Sequence, residues 1–160
     1  MHSISHGNRV LRLALVLSFA AGCALAFPAN SAAEDPWKAD QVIEPADLAK
    51  QLKSAKDKPL IIQVGFSTLF KQSHIRGAKY CGPASKPEGL AQLKKCLTGV
   101  SHEKTIVIYC GCCPWKDCPN IRPAFAELSK LGFKNVKVLS LPDTFGKDWQ
   151  EKGYPTAAGQ

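Results

Sequence analysis

Two short apolar runs constrain this chain more than anything else in it. Leu60-Ile61-Ile62-Gln63-Val64 and Thr105-Ile106-Val107-Ile108-Tyr109 are near-continuous in apolar and β-branched residues. Neither shows the apolar–polar alternation of a strand with one wet face, so each reads as a strand covered on both sides. Around them the pattern turns helical. Pro45 to Ser54 has proline in its first turn and Leu48 and Leu52 on one face. Glu88 to Thr98 carries Leu90, Leu93 and Leu97 and stops at Gly99, while Pro123 to Leu131 carries Phe125, Leu128 and Leu131 and stops at Gly132. Shorter strands are predicted at Val42-Ile43, Ala78 to Cys81 and Val136 to Leu141, with further helices at Ser67 to Gln72 and Thr144 to Lys152. Strands alternating with helices require right-handed crossovers. The expected fold is therefore α/β: a mostly parallel central sheet flanked by helices on both faces. Ligands on such sheets bind beyond the carboxyl ends of the strands.

The second run ends in chemistry. It continues as Cys110-Gly111-Cys112-Cys113-Pro114-Trp115-Lys116-Asp117-Cys118-Pro119, which holds four of the chain's seven cysteines. A cysteine where a central strand runs out into a loop is held rigidly and exposed to reactants, and loop N–H groups and a following helix N-terminus favour its thiolate. This cluster is where the function is to be sought, with Cys110 at the strand's carboxyl end. His74 and His102 lie in other segments, and His74 reads as a maker of a turn hydrogen bond. A phosphatase would need a cysteine five residues before Arg122's flanking position, at residue 116, where the chain has Lys116.

The N-terminus reads as an export signal. Arg9 and Arg12 precede an apolar stretch from Leu13 to Ala21, and Ala24-Leu25-Ala26 and Ser31-Ala32-Ala33 both offer cleavage sites. The expected organisation is a signal peptide at 1–33 and one domain at 34–160, in a periplasmic or secreted protein. The apolar core is short for a membrane span. Acylation at Cys23, after Ala20-Ala21-Gly22, is the lipoprotein alternative and the one route to membrane attachment. Cleavage beyond Cys23 leaves six cysteines in an oxidising compartment, where disulfides form. The chain has 21 Lys+Arg against 13 Asp+Glu, a formal charge of +8, but the lysines are scattered with no aromatic interleaving. That argues against a nucleic-acid partner.

The order of motifs resembles the rhodanese domain. It is carried by Val42-Ile43-Glu44-Pro45-Ala46-Asp47-Leu48, Leu60 to Val64, Ser73-His74-Ile75-Arg76-Gly77-Ala78, the strand-Cys110-loop-helix unit, Leu131-Gly132-Phe133-Lys134-Asn135-Val136 and Trp149 with Gly153-Tyr154-Pro155. It spans roughly 40–155 and implies a single rhodanese-like domain. It also implies a sulfurtransferase without a cofactor, in which Cys110 takes a sulfane sulfur as a persulfide and passes it to a thiol or anion. The donor would be a small sulfur compound, and a redox partner protein would restore an oxidised loop. Gly111, Cys112, Cys113, Trp115 and Arg122 are the expected substrate-binding residues, with Arg122 at the family's loop-closing position.

The departures shape the alternatives. Gln63-Val64-Gly65 stands where the family usually has Asp-Val-Arg, and eleven residues separate Cys110 from Arg122 where four are common. Cys112, Cys113 or Cys118 could attack a Cys110 persulfide, releasing sulfide and leaving a disulfide. A thiol–disulfide or metal-handling protein, or a catalytically silent binding module, would use the same loop. Metal is disfavoured here because adjacent Cys112 and Cys113 side chains are expected to diverge. The enlarged loop needs a tie, so Cys118 is expected to pair with Cys113 or Cys112 while Cys110 stays free. Cys81 and Cys96 are either buried free thiols or a disulfide.

Overall fold

A computed structural model of the protein describes His2, residues 35–54 and residues 56–159. The expected export signal and Cys23 lie outside the described residues. The strands are β1 (Val42–Ile43), β2 (Leu60–Gln63), β3 (His74–Ile75), β4 (Lys79–Tyr80), β5 (Ile106–Tyr109), β6 (Val136–Leu139) and β7 (Thr156–Ala157). The helices are α1 (Pro45–Ser54), α2 (Ser67–Gln72), α3 (Pro87–Cys96) and α4 (Ile121–Lys130). The main sheet has the order β1-β6-β5-β2-β4, and its neighbouring strands are all parallel. β5 is therefore central, paired with β2 through Ile61↔Val107 and with β6 through Ile108↔Val138. No helix among the described residues is long and apolar enough to cross a membrane.

Side-chain alternation along β5 divides the core into two layers. Ile106 and Ile108 pack with Leu93 of α3 and with Ile121, Ala124, Phe125 and Leu128 of α4. Val107 and Tyr109 pack on the other face with Leu48 and Ala49 of α1 and with Trp149. This two-sided burial is why both strand runs carry no wet positions.

Two expected elements shift, and one strand pair is new. The helix expected from Pro123 begins two residues earlier, at Ile121, so Arg122 and Pro123 lie inside its first turn. Proline is accommodated there because the first-turn N–H groups have no intrahelical partner. The segment expected as a helix from Thr144 is a π-helical turn at Gly146–Gln150 that buries Trp149. β3 and β7 form a small antiparallel pair that the sequence patterns do not announce, since each has two residues. His74 is buried, stacks on Phe70 at 3.8 Å between centroids, and its Nδ1 lies 2.8 Å from the Phe70 carbonyl it donates to.

Cys81 and Cys96 form a disulfide with Cα atoms 6.2 Å apart, joining the segment after β4 to the end of α3.

Candidate active site

The strand alternation that turns Tyr109 to one face turns Cys110 to the other. The Tyr109 hydroxyl accepts the Ile75 N–H at 3.1 Å, and burial pushes its pKa well up. Cys110 joins Ile106 and Ile108 in the α3/α4 layer and is 3% exposed. Its carbonyl accepts from Gln63 Nε2 at 3.1 Å, which anchors the loop base to β2. Gln63 Oε1 is buried without a partner. Gly65 leaves the space the sulfur occupies: a Cβ there would lie 2.6 Å from Cys110 Sγ. The departure at Gln63-Val64-Gly65 thus replaces a charged strand end with an amide anchor and room for a thiol. Gly111 follows with φ of 84°, and its carbonyl accepts the Phe145 N–H at 3.2 Å. A side chain at 111 would also meet Phe145 Cβ at 2.8 Å.

Three sulfurs converge. Cys110 and Cys112 Sγ lie 3.2 Å apart, and the sulfurs of Cys110, Cys112 and Cys118 all lie within 4.8 Å of one another. Cys112 and Cys113 Sγ are 3.3 Å apart, so these adjacent side chains do not diverge as expected. Cys110 and Cys113 have C-x-x-C spacing, a redox signature in sequence, yet the mutually close set takes Cys118 rather than Cys113. Cys112 and Cys113 are half-buried, whereas Cys118 is 1% exposed.

Asn120, which motif reading passes over, organises the buried side. It is fully buried, and its Oδ1 accepts the Ser85 N–H at 2.9 Å. That bond fixes the amide so that Nδ2 faces the sulfurs, 3.4 Å from Cys110 Sγ and 3.9 Å from Cys118 Sγ. An asparagine just before a helix ordinarily reads as a cap for that helix. Here no side-chain cap bond forms, because both ends of the amide are engaged elsewhere.

The expected thiolate moves from Cys110 to Cys118. The hydrogen bond from Cys110 comes first among the causes that lower Cys118 to about 6, joined by the backbone N–H groups of Asn120 and Ile121 at the start of α4. The same bond, with burial, pushes the Cys110 thiol far up. Burial and the neighbouring thiols raise Cys113 to about 12.

The expected pairing of Cys118 with Cys113 or Cys112 is not formed; all four loop cysteines are free. Backbone and aromatic contacts hold the loop in its place. Residues Trp115–Asp117 form a 3₁₀ turn, and the Trp115 N–H donates to the Leu141 carbonyl at 3.0 Å. Trp115 packs on Trp37 at 5.6 Å, and Trp37 meets Phe125 edge-on at 5.6 Å. Arg122 completes this tie rather than reaching the sulfurs. It donates to the Lys116 carbonyl and to Asp35, each at 2.5 Å, with its guanidinium 5.6 Å from the Trp37 ring. Of the expected substrate-binding set, the structure gathers Gly111, Cys112 and Cys113 around Cys110, and assigns Trp115 and Arg122 to the loop's outer support.

On the far side of the loop base is a cavity of about 120 Å³. Cys110 and Gly111 wall it together with Gln63, Ser73, Phe145 and Gln150. Its lining has no lysine or arginine.

A parallel α/β domain with a thiol at the carboxyl end of its central strand is the class these features define. The chain belongs to the rhodanese-like domain family, which matches residues 44–141. Solved structures agree on the fold. The BH2092 protein from Bacillus halodurans is similar at 23% identity and a TM-score of 0.57, covering 73% of this chain and 76% of that one. The rhodanese-like domain of the Anabaena sp. Alr3790 protein aligns at 18% identity and a TM-score of 0.54, covering 74% and 79%. A thiosulfate sulfurtransferase from Pseudomonas aeruginosa aligns at 26% identity and a TM-score of 0.54, over 74% of this chain but 19% of that protein. No match was found among the curated proteins.

Proposed function

We propose that the protein is an exported sulfurtransferase in which Cys110 carries a sulfane sulfur as a persulfide and passes it to a thiol or similar nucleophile. The observation that carries this reading is Cys110 at the carboxyl end of the central strand of a rhodanese-like domain. The Pseudomonas relative, a thiosulfate sulfurtransferase, supports the donor class. Cys110 sulfur attacks the outer sulfur of a thiosulfate-type donor. The donor's S–S bond breaks as the Cys110 S–S bond forms, and sulfite leaves with the electron pair. The Cys110 proton passes to a neighbouring sulfur, with Cys118 within 4.8 Å. An acceptor thiolate then attacks the outer persulfide sulfur and returns Cys110 to its resting state. Half-buried Cys112, 3.2 Å away, is placed to attack the same persulfide when no acceptor arrives, releasing sulfide and leaving a disulfide that a dithiol partner would reduce.

Mass spectrometry of the mature protein after one turnover with thiosulfate tests this. One added sulfur atom is expected on the Cys110 peptide, and Cys110→Ser should lose both the label and sulfite release. A label that persists in Cys110→Ser would overturn the assignment. Export is tested separately by sequencing the native N-terminus, expected near Phe27 or Glu34; a start at Met1 would refute it.

A further inference from the structure

The sulfurs of Cys110, Cys112 and Cys118 form a triangle that sulfur transfer through one cysteine does not need. We infer that this triangle is a binding site for a single Cu(I) ion held by three thiolates. A metal–thiolate bond of about 2.3 Å, with the ion in the plane of three sulfurs, sets the sulfurs about 4 Å apart. The observed sulfurs are all within 4.8 Å, and the shortest pair, at 3.2 Å, opens by rotation of the half-buried Cys112. Entry of the ion releases the thiol protons to solvent and changes no oxidation state.

The surroundings favour a soft ion of low coordination number. All three donors are sulfur, which selects thiophilic metals. Zn²⁺ prefers four ligands in a closed structural site. Among the described residues no histidine or carboxylate joins the three sulfurs, and Cys113 falls outside the mutually close set. Cys110 and Cys118 are nearly sealed from water, which leaves little room for a coordinated solvent molecule. The negative charge of the thiolates meets hydrogen-bond donors already in place: Asn120 Nδ2 reaches both buried sulfurs, and the N-terminus of the ten-residue α4 begins beside Cys118. Asn120 is held in that orientation by Ser85, as outer partners of metal ligands are. Cys112 is the half-exposed sulfur through which an ion would enter and leave.

The test uses the full mature protein with the Cys81–Cys96 disulfide intact and the loop thiols free, under anaerobic conditions without added reductant, in competition with a chromophoric Cu(I) chelator. One Cu(I) per chain is expected, with X-ray absorption showing three sulfur neighbours. Removing an outer partner of a metal ligand costs about 10–100-fold in affinity, so Cys112→Ser and Cys118→Ser should each lose more than about 100-fold. Cys113→Ser should change affinity by less than about threefold. Circular dichroism accompanies Cys118→Ser, whose side chain is buried; Cys112→Ser, half-exposed, carries the test if that variant fails to fold. Binding that survives Cys112→Ser, or an equal loss in Cys113→Ser, overturns the three-sulfur site. The readout is stoichiometry and affinity, so it stands or falls apart from sulfur transfer.

Discussion

Gly65→Ala is the sharpest probe of how the fold makes room for the thiol cluster. A Cβ at 65 would sit 2.6 Å from Cys110 Sγ, and 3.2 Å from both the Cys110 carbonyl and Gln63 Nε2. Gly65 does not adopt a positive φ, so backbone conformation does not complicate the substitution. The overlap with sulfur must be relieved by about an ångström, and overpacking of this kind costs about 1–3 kcal/mol. Cys110 cannot easily yield, because its sulfur is lodged against Cys112 and Asn120. Removing the sulfur removes most of the clash, leaving only two contacts that must give by a few tenths of an ångström. Urea unfolding of the wild type, Gly65→Ala, Cys110→Ala and the double variant under reductant measures the coupling. Gly65→Ala should cost about 1–3 kcal/mol alone and markedly less in the Cys110→Ala background. Additivity within about 0.5 kcal/mol would refute the claim that Gly65 is there for the Cys110 sulfur.

Two further outcomes follow from the same geometry. The Cys81–Cys96 bond spans a sequence separation of 15, so breaking it with a phosphine should cost about 3 kcal/mol, seen as a lower urea midpoint; an unchanged midpoint would show that the bond constrains nothing. Asn120→Ala leaves the Ser85 N–H and two sulfurs without their partner, for a loss of about 1–3 kcal/mol in the same assay. Asn120→Asp keeps an acceptor for Ser85 but turns an oxygen toward the Cys110 and Cys118 sulfurs, so it should lose at least as much; wild-type stability in that variant would show that donation from Nδ2 contributes nothing.

The sheet was legible because burial on both faces leaves a residue-level trace. Ile61, Ile62, Val107 and Ile108 have no wet neighbour, so their runs announce parallel strands directly. α1, α3 and α4 were legible through the leucines and phenylalanine they bury. The β3–β7 pair was not, since two residues cannot show a period and their pairing joins segments some eighty residues apart. Nor was the π-helical turn, where Gly146–Gln150 is shaped by burying Trp149 against Phe145 and Tyr154 rather than by local propensity.

At the site, Cys110 was legible through its position at the end of a central strand and through the resemblance to the rhodanese domain, and the fold places it at that strand end. The sequence did not predict the loop's means of order. A cysteine-rich loop in a chain expected to be exported suggests a covalent tie, but a tie between Cys113 and Cys118 would compete with everything else that acts on Cys118. That sulfur is drawn inward by Cys110, by Asn120 and by the N–H groups that open α4. Meanwhile the outer half of the loop is fixed by Trp115 on Trp37 and by Arg122 bridging Lys116 and Asp35, and two of these three contacts reach segments far apart in sequence. Support from outside frees the inner cysteines from structural duty. Because no disulfide is needed to hold the loop, Cys110 can stay a free thiol, as persulfide transfer requires, and the three sulfurs can stay reduced and close together, as three-sulfur coordination requires.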